Sequence, residues 1–409
     1  MPNFESIRPY RDEEVPSVVR RLTASAALRD GIASFLFPRL YKFSAVATRH
    51  FTAIMLRIRA RKLRTVYDVQ MMVGRFIDHM VAASVDTLSW SGLTQLDPAK
   101  PYLFISNHRD ITLDSALLNR VLHEEGFPTC QIAVGDNLFG TPHADDLMRL
   151  NRGFLVERSA TGPKATYRAL LRTSSYIRHS IETGTSVWIA QREGRAKDGF
   201  DRTEPALIKM LALAWRRAGE GVKPNPIEDL LQQVQIVPVA ISYELDPCDL
   251  MKTDELHDIA TQGCFVKDEG ADLASITRGM RGYKGRIHVH FAAPLARVSA
   301  SADEVAAAMD RAIVGGLKVY PPNTNAWAIQ QGSVDSALDD TCLGDGATAE
   351  APNAKALNYF TQRLNQVAAN KQPYLLMQYA NLLRNRYELG IGEATASAQS
   401  HEQPVGRLE

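Results

Sequence analysis

The chain has 409 residues, 45% of them hydrophobic and 23% charged. That is enough apolar material for a full core without staples, and it excludes a disordered chain, a collagen and a disulfide miniprotein. Lysines and arginines number 47 against 46 acidic residues, a formal net charge of +1, so no global field selects nucleic acid and any electrostatic preference is local.

Residues 1–95 read as a helical N-terminal region, with apolar residues at three- and four-residue steps. The opening MPNFESIRPYRDEEVP places charges where a signal peptide needs an apolar stretch. The best apolar run, Gly31 to Pro38, has eight residues, against about 20 for a membrane-spanning helix. Together with four scattered cysteines (Cys130, Cys248, Cys264 and Cys342) that form no CxxC or zinc spacing, this predicts a reducing, cytoplasmic setting. One local charge feature stands apart. No acidic residue lies between Asp30 and Asp68, an interval holding Arg39, Lys42, Arg57, Arg61 and Arg64 among Phe37, Leu40, Phe43, Phe51 and Leu56. A basic helix of this texture lies in a membrane interface or forms a solvated face over an ordinary core. The first reading predicts peripheral association with a membrane surface.

Residues 96–300 alternate short apolar strands with amphipathic stretches and read as α/β. The predicted strands are Tyr102–Ser106, Gln131–Val134, Gly153–Val156, Ser186–Ala190, Gln235–Ser242 and Arg286–Ala292. The expected architecture is a mixed central sheet flanked by helices. Residues 301–409 read as a helical C-terminal extension. It should contain a small, polar linker near 339–353, a last helix pair over Ala354–Tyr387 and a disordered tail.

The most informative stretch is PYLFISNHRDITLDSALLNRVL, residues 101–122. A buried strand runs into Asn107-His108, and a helix begins near Asp110–Thr112. A histidine at the carboxyl end of a strand sits where α/β proteins place reactive groups. A carboxylate a turn and a half later can hold the imidazole Nδ1–H and leave Nε2 as a general base. Asp114 and Asp110 compete for that role, with Asp114 preferred. A protein kinase is excluded, since Ser115 stands where the Asn after HRD belongs and neither a glycine loop nor DFG accompanies it. No GxSxG or HExxH occurs, which excludes an α/β-hydrolase and a zincin. His288 and His290 alternate along a strand and share one face; with no third ligand nearby they are read as structural.

This segment resembles the first block of the glycerolipid acyltransferases, the family of glycerol-3-phosphate and lysophosphatidate acyltransferases. Their signature is Asn-His, four residues, Asp; here five residues separate His108 from Asp114. Later blocks follow in order. Arg152-Gly153-Phe154-Leu155-Val156-Glu157-Arg158 matches the glycine–strand–arginine block, with Arg158 at the arginine position. VWIAQREGRAKDG, residues 187–199, keeps Glu193-Gly194 of the third block, has Gln191-Arg192 before them and Arg195 directly after. Ile236-Val237-Pro238-Val239 fits the fourth block, and IHVHFAAPL closes the domain. The matched part is roughly half of the chain.

The resemblance implies transfer of a fatty acyl group from acyl-CoA or acyl-ACP to a hydroxyl of glycerol 3-phosphate or lysophosphatidate, by direct attack on the thioester. His108 would be the base and Asp114, or Asp110, its orienting carboxylate. Arg158 and Arg195 would bind the acceptor phosphate, since guanidinium groups hold phosphate oxygens in pairs. Glu193 would orient the acceptor or an arginine, Gly153 would belong with the substrate-binding residues, and Gly194 would allow close backbone approach in its turn. Arg192, Lys197, Arg202 and Lys209 are secondary candidates. The implied partners are the lipid or glycerol-phosphate substrate, the acyl carrier and a membrane surface; no cofactor, metal or nucleic acid is expected. The extra motif residue and Gln191-Arg192 keep an acceptor such as a lyso-aminolipid or a hydroxylated metabolite open. So is a non-catalytic lipid-binding protein on the same fold.

Overall fold

The structure, a computed structural model, describes residues 3–136, 142–215, 225–268, 270–296, 301–332, 351–391 and 400–401. In chain order the helices are α1 (Val15–Ala24), α2 (Ala26–Leu36), α3 (Pro38–Phe43), α4 (Ala45–Ala60) and α5 (Val66–Ser84). The strands β1 (Val85–Ser91) and β2 (Leu103–Ser106), α6 (Leu113–Glu124), β3 (Gln131–Gly135), α7 (Pro142–Leu150) and β4 (Gly153–Val156) follow. Next are α8 (Pro163–Glu182), β5 (Val187–Ala190), α9 (Pro205–Ala212), α10 (Pro226–Gln233) and β6 (Ile236–Tyr243). Then come α11 (Asp249–Gln262), α12 (Ala271–Arg281) and β7 (Gly285–Phe291). The chain closes with α13 (Ala302–Gly316), α14 (Pro321–Gln330), α15 (Ala354–Gln366), α16 (Gln372–Glu388) and a two-residue strand β8 (Ser400–His401).

The chain divides into two compact units, Met1–Phe76 with Gln131–Tyr176, and Ile77–Cys130 with Ile177–Glu409. In the first, Val15, Val18, Val19 and Leu22 recur along α1 at helical spacing and bury against Val69 and Leu150. Arg21 and Tyr10 both bond Asp146 on α7, at 2.7 Å from Arg21 Nε and 2.7 Å from the Tyr10 hydroxyl. Strands β3 and β4 pair in parallel. Gly153 opens β4 under a steric constraint, since a Cβ there would lie 2.6 Å from the Met148 carbonyl oxygen.

In the second unit the strand order is β5-β2-β6-β7-β1, with β8 at the β1 edge. β2 lies parallel to both β5 and β6, β7 runs antiparallel to β6, and β1 is parallel to β7. This is the expected mixed sheet. β2 and the first seven residues of β6 are buried throughout, as the uninterrupted apolar runs LFIS and IVPVAI require of interior strands. The extension is helical. Leu375, Leu376, Tyr379 and Ala380 of α16 form a core with Phe360 of α15, Ala326 of α14 and Leu245 beyond β6.

All six predicted strands are present. The region read as wholly helical needs one correction: residues 85–91 are strand β1. Ser84 ends α5 and Val85 opens the strand with no glycine or proline between, so the usual punctuation is missing. The helix pair over 354–387 is α15 and α16. Most of the linker expected near 339–353, and all but residues 400 and 401 of the tail after residue 391, lie outside the described residues.

Candidate active site

Where β2 ends, the chain must leave the sheet without losing its place. Asn107 achieves this with its side chain. Its Nδ2 donates to the Ile241 carbonyl at 3.0 Å and its Oδ1 accepts the Ile241 N–H at 2.8 Å, so the amide takes the place of one ladder residue against β6. His108, held by the next peptide, has a side chain 16% exposed. Its Nδ1 donates to Asp114 Oδ2 at 2.8 Å, which leaves Nε2 to exchange a proton. The Trp188 indole meets the imidazole edge-on at 6.0 Å between centroids and donates to Ser106 at 3.0 Å.

The two competing carboxylates have different tasks. Fully buried Asp114 also accepts the Arg109 and Asp110 N–H groups at 2.7 and 3.0 Å through Oδ2, and the Tyr243 hydroxyl at 2.8 Å through Oδ1. Asp110 does not bond His108. Its Oδ1 accepts the N–H groups of Thr112 and Leu113, both at 2.9 Å, and so caps the start of α6. Burial, and then the charge of Asp114, push the Asp110 carboxyl above its usual range against those two bonds. Of the two candidates, Asp114 bonds the imidazole and Asp110, the alternative, caps α6 instead. The five-residue spacing is absorbed by the turn at 109–112, whose N–H groups wrap the two carboxylates.

A second loop, residues 191–204, lies beside the first. The Ala196 N–H donates to the His108 carbonyl at 2.8 Å. Gly194 takes φ +74°, a left-handed conformation that glycine adopts without steric cost, and Glu193 and Gly194 are exposed. Arg195 reaches Ser275 of α12 at 2.7 Å. Of the secondary candidates, Lys197 pairs with Glu255 and Arg202 with Glu388. His108, Asp114, Asp110, Glu193, Gly194 and Arg195 are thus all in the second unit. Arg158 and Gly153 belong to the first, where Asp136 accepts the backbone N–H groups of Arg158 and Ser159 at 3.0 and 2.8 Å and Arg158 is exposed.

Sequence reasoning missed five residues that hold this arrangement. Tyr243 binds Asp114; burial, then the charges of Asp114 and Asp110, raise its phenol well above the ordinary value. Buried Lys252 donates to the Arg109 carbonyl at 2.9 Å, to the Ala196 carbonyl at 3.2 Å and to Asp246 at 2.5 Å, so one ammonium ties both loops. Burial works to raise Asp246, but Lys252 and the Cys248 N–H hold it below the usual range. Arg109 pairs with buried Asp201 in the second loop. The HRD order marks Arg109 in the sequence; Tyr243 and Lys252 lie more than 120 residues from Asp114 and carry no local signal. The two strand histidines are engaged by serines: Ser89 and Ser91 take the two ring nitrogens of His288 at 2.8 and 2.9 Å, and Ser91 also bonds His290 at 2.8 Å.

Residues 88–242 match the family model described as Acyltransferase, a span that runs from β1 through β6 and includes both loops. The glycerol-3-phosphate acyltransferase of Alteromonas mediterranea is 29% identical over 194 residues, 47% of this chain and 21% of that protein. Residues 88–242 thus form an acyltransferase-like segment of the chain. A second glycerol-3-phosphate acyltransferase, from Pseudoalteromonas atlantica, is 32% identical over 142 residues, covering 35% of this chain and 16% of its own length. The chain therefore spans about a fifth of the length of the curated relatives it matches. A crystal structure of the 1-acyl-sn-glycerophosphate acyltransferase PlsC from Thermotoga maritima aligns with 69% of this chain and 95% of its own, at 13% identity and a TM-score of 0.34. The matched span ends at Ser242, so Tyr243, Lys252 and the C-terminal extension all lie beyond it.

Proposed function

We propose that the acyltransferase domain moves a fatty acyl group from the thioester of acyl-CoA or acyl-ACP to a hydroxyl of glycerol 3-phosphate or lysophosphatidate. The observation that carries this reading is the His108–Asp114 pair at the end of β2, joined through the His108 carbonyl to the loop that presents Arg195. An alcohol has too little nucleophilicity at neutral pH without a base. His108 Nε2 takes the hydroxyl proton as the oxygen attacks the thioester carbonyl. Asp114 fixes the tautomer and stabilises the imidazolium. The tetrahedral intermediate collapses, the C–S bond breaks, and the imidazolium returns its proton to the leaving thiolate. Base catalysis of this kind contributes about 10²–10⁴-fold. Arg195 serves the acceptor phosphate, and Arg158 joins it in the proposal on its place in the second motif block. Glu193, exposed beside Arg195, orients the acceptor. The chemistry calls for no cofactor.

A membrane surface is the proposed setting. On α4 the usual pattern is inverted: Thr48, Thr52 and Ala53 are buried, while Phe51, Ile54 and Ile58 are exposed at helical spacing. Phe43 just before it is 92% exposed. Exposed Arg39, Lys42, Arg57, Arg61 and Lys62 surround these groups. Apolar side chains outward among cations suit an anionic lipid interface, where each cation contributes about 1 kcal/mol. Among the described residues no helix is long and apolar enough to cross a membrane.

The test is acyl transfer by purified protein, with labelled acyl-CoA and acyl-ACP offered to glycerol 3-phosphate and lysophosphatidate in parallel. Product is expected on one acceptor, and His108→Ala should lower kcat by about 10²–10⁴-fold with an unchanged melting curve. Absence of product with every donor–acceptor pair would overturn the reading. Product that survives His108→Ala would overturn the mechanism.

A further inference from the structure

The C-terminal extension lies outside the matched domain, yet one face of α16 is built against the second loop. Gln378, Asn381 and Asn385 recur at three- and four-residue spacing and are buried, a polar stripe where a helix normally packs apolar groups. Asparagine is also a poor interior helix residue. Two buried asparagines in one helix break the local rule, and such breaks concentrate where function sets the requirement. Their amide groups are spent on loop backbone. Asn381 Nδ2 donates to the Asp198 carbonyl at 2.7 Å and Asn385 Nδ2 to the Asp201 carbonyl at 3.0 Å. Gly199, between those contacts, takes φ +83°, and a Cβ there would collide with the Gln378 carbonyl, so loop and helix backbones meet directly. Gln378 Nε2 reaches the Asp249 carbonyl at 3.1 Å and Thr253 at 2.8 Å on α11, the helix that carries Lys252.

These contacts lead to His108 by two routes. One runs from Asn381 and Asn385 through the 198–201 backbone to Ala196, whose N–H holds the His108 carbonyl. The other runs from Gln378 through α11 to Lys252, which binds the carbonyls on either side, Arg109 and Ala196. Of the stripe, Gln378 also lines one small cavity of about 50 Å³ together with Arg109, Ala196 and Lys197 of the two loops.

We propose that Asn381 and Asn385 of α16 are positioning residues for acyl transfer: they hold the 191–204 loop in the conformation that presents Glu193 and Arg195 to the acceptor. This rests on the reading of that loop as the acceptor site. Neither asparagine touches substrate; both act through backbone carbonyls. Losing one should loosen acceptor binding more than it slows chemistry.

The test uses the full chain carrying Asn381→Leu, which keeps volume and helix but removes the donor, and independently Asn385→Leu. Asn381→Ser, with a shorter donor, is made in case the leucine variants do not fold. Two readings are taken on each folded variant. Amide exchange in peptides covering 191–204 should quicken at least tenfold while β2 and β6 peptides stay as in the wild type. KM for the acceptor should rise at least fivefold, with KM for the acyl donor unchanged and kcat within threefold. Unchanged loop exchange overturns the proposal. So does faster exchange with an unchanged acceptor KM, which would make the asparagines ordinary packing. If the wild type acylates no acceptor, the function reading itself fails. The exchange measurement then still decides whether α16 holds the loop.

Discussion

Two regions of this chain break the ordinary rule of apolar inside and polar outside, in opposite directions. On α4 and the segment before it, threonines are buried and Phe43, Phe51, Ile54 and Ile58 face outward among arginines. Around His108, Asp114, Asp110, Asp201 and Lys252 are buried and Asp246 is partly buried, and each has a charged or backbone partner. Exposed apolar groups cost little unless they are meant to meet something. Buried charges cost several kcal/mol each unless they are paired with good geometry. On the proposed reading the first region meets a membrane surface, while the second holds a geometry. Substitutions should therefore act on binding in one and on turnover in the other.

The largest expected effect on that contrast comes from separating the two carboxylates. Asp114→Asn should lower kcat by about 10²–10⁴-fold, because an amide no longer fixes the imidazole tautomer or stabilises its charge. Asp110→Asn keeps an oxygen for the Thr112 and Leu113 N–H groups and removes a costly buried charge. It should leave kcat within about threefold and the fold no less stable. Tyr243→Phe removes one bond to Asp114 and should cost roughly fivefold, the equivalent of about 1 kcal/mol. Steady-state kinetics on the three variants decides the matter. Equal losses in Asp110→Asn and Asp114→Asn would remove the distinction between cap and orienter.

Much of the second region was legible before the structure. Every strand predicted between residues 96 and 300 is there, because interior strands of a mixed sheet read as short apolar runs bounded by turn residues. His108 was legible as well, since a histidine after a buried strand and before a helix start is a local pattern. The division between Asp110 and Asp114 was not. Both carboxylates stand near the same helix start, and only the three-dimensional turn shows which one meets the imidazole and which the α6 N–H groups. Lys252 and Asn381 were illegible for a different reason. Their partners are backbone carbonyls, at Arg109, Ala196 and Asp198, and a carbonyl has no sequence signature. Strand β1 was lost because α5 passes into it without a breaker.

A smaller effect is expected in the first region. Phe43→Ser with Ile54→Ser and Ile58→Ser removes three exposed apolar side chains, each worth about 1.5–3 kcal/mol if fully buried in lipid. Binding to vesicles of phosphatidylglycerol and phosphatidylethanolamine should weaken at least tenfold by flotation. Turnover of a water-soluble acceptor should be unchanged. Raising salt should weaken wild-type binding too, through the cations. Flotation of the triple variant equal to wild type would return α4 to an ordinary solvated helix. Loss of turnover on the soluble acceptor would show that the two regions are not separable.

The smallest effect tests whether the buried polar region holds its geometry in one protonation state. Both ring nitrogens of His288 are engaged by Ser89 and Ser91. Burial, and after it the charges of Lys318 and His290, bring its pKa from 6.5 down to about 3. Between those values the unfolded chain binds a proton that the folded chain refuses. His288 therefore contributes stability that is fully present above pH 6.5 and is lost as pH falls toward 3, by at most about 1.4 kcal/mol per pH unit. His288→Gln cannot titrate. It should be less stable than wild type at pH 7, by roughly 1–2 kcal/mol for imperfectly replaced bonds and packing, and the gap should close or reverse as pH falls to 4.5. Urea unfolding of both proteins at the two pH values measures this directly. Parallel losses would mean that His288 is not held neutral in the folded chain, and that the serine pair tolerates the imidazolium.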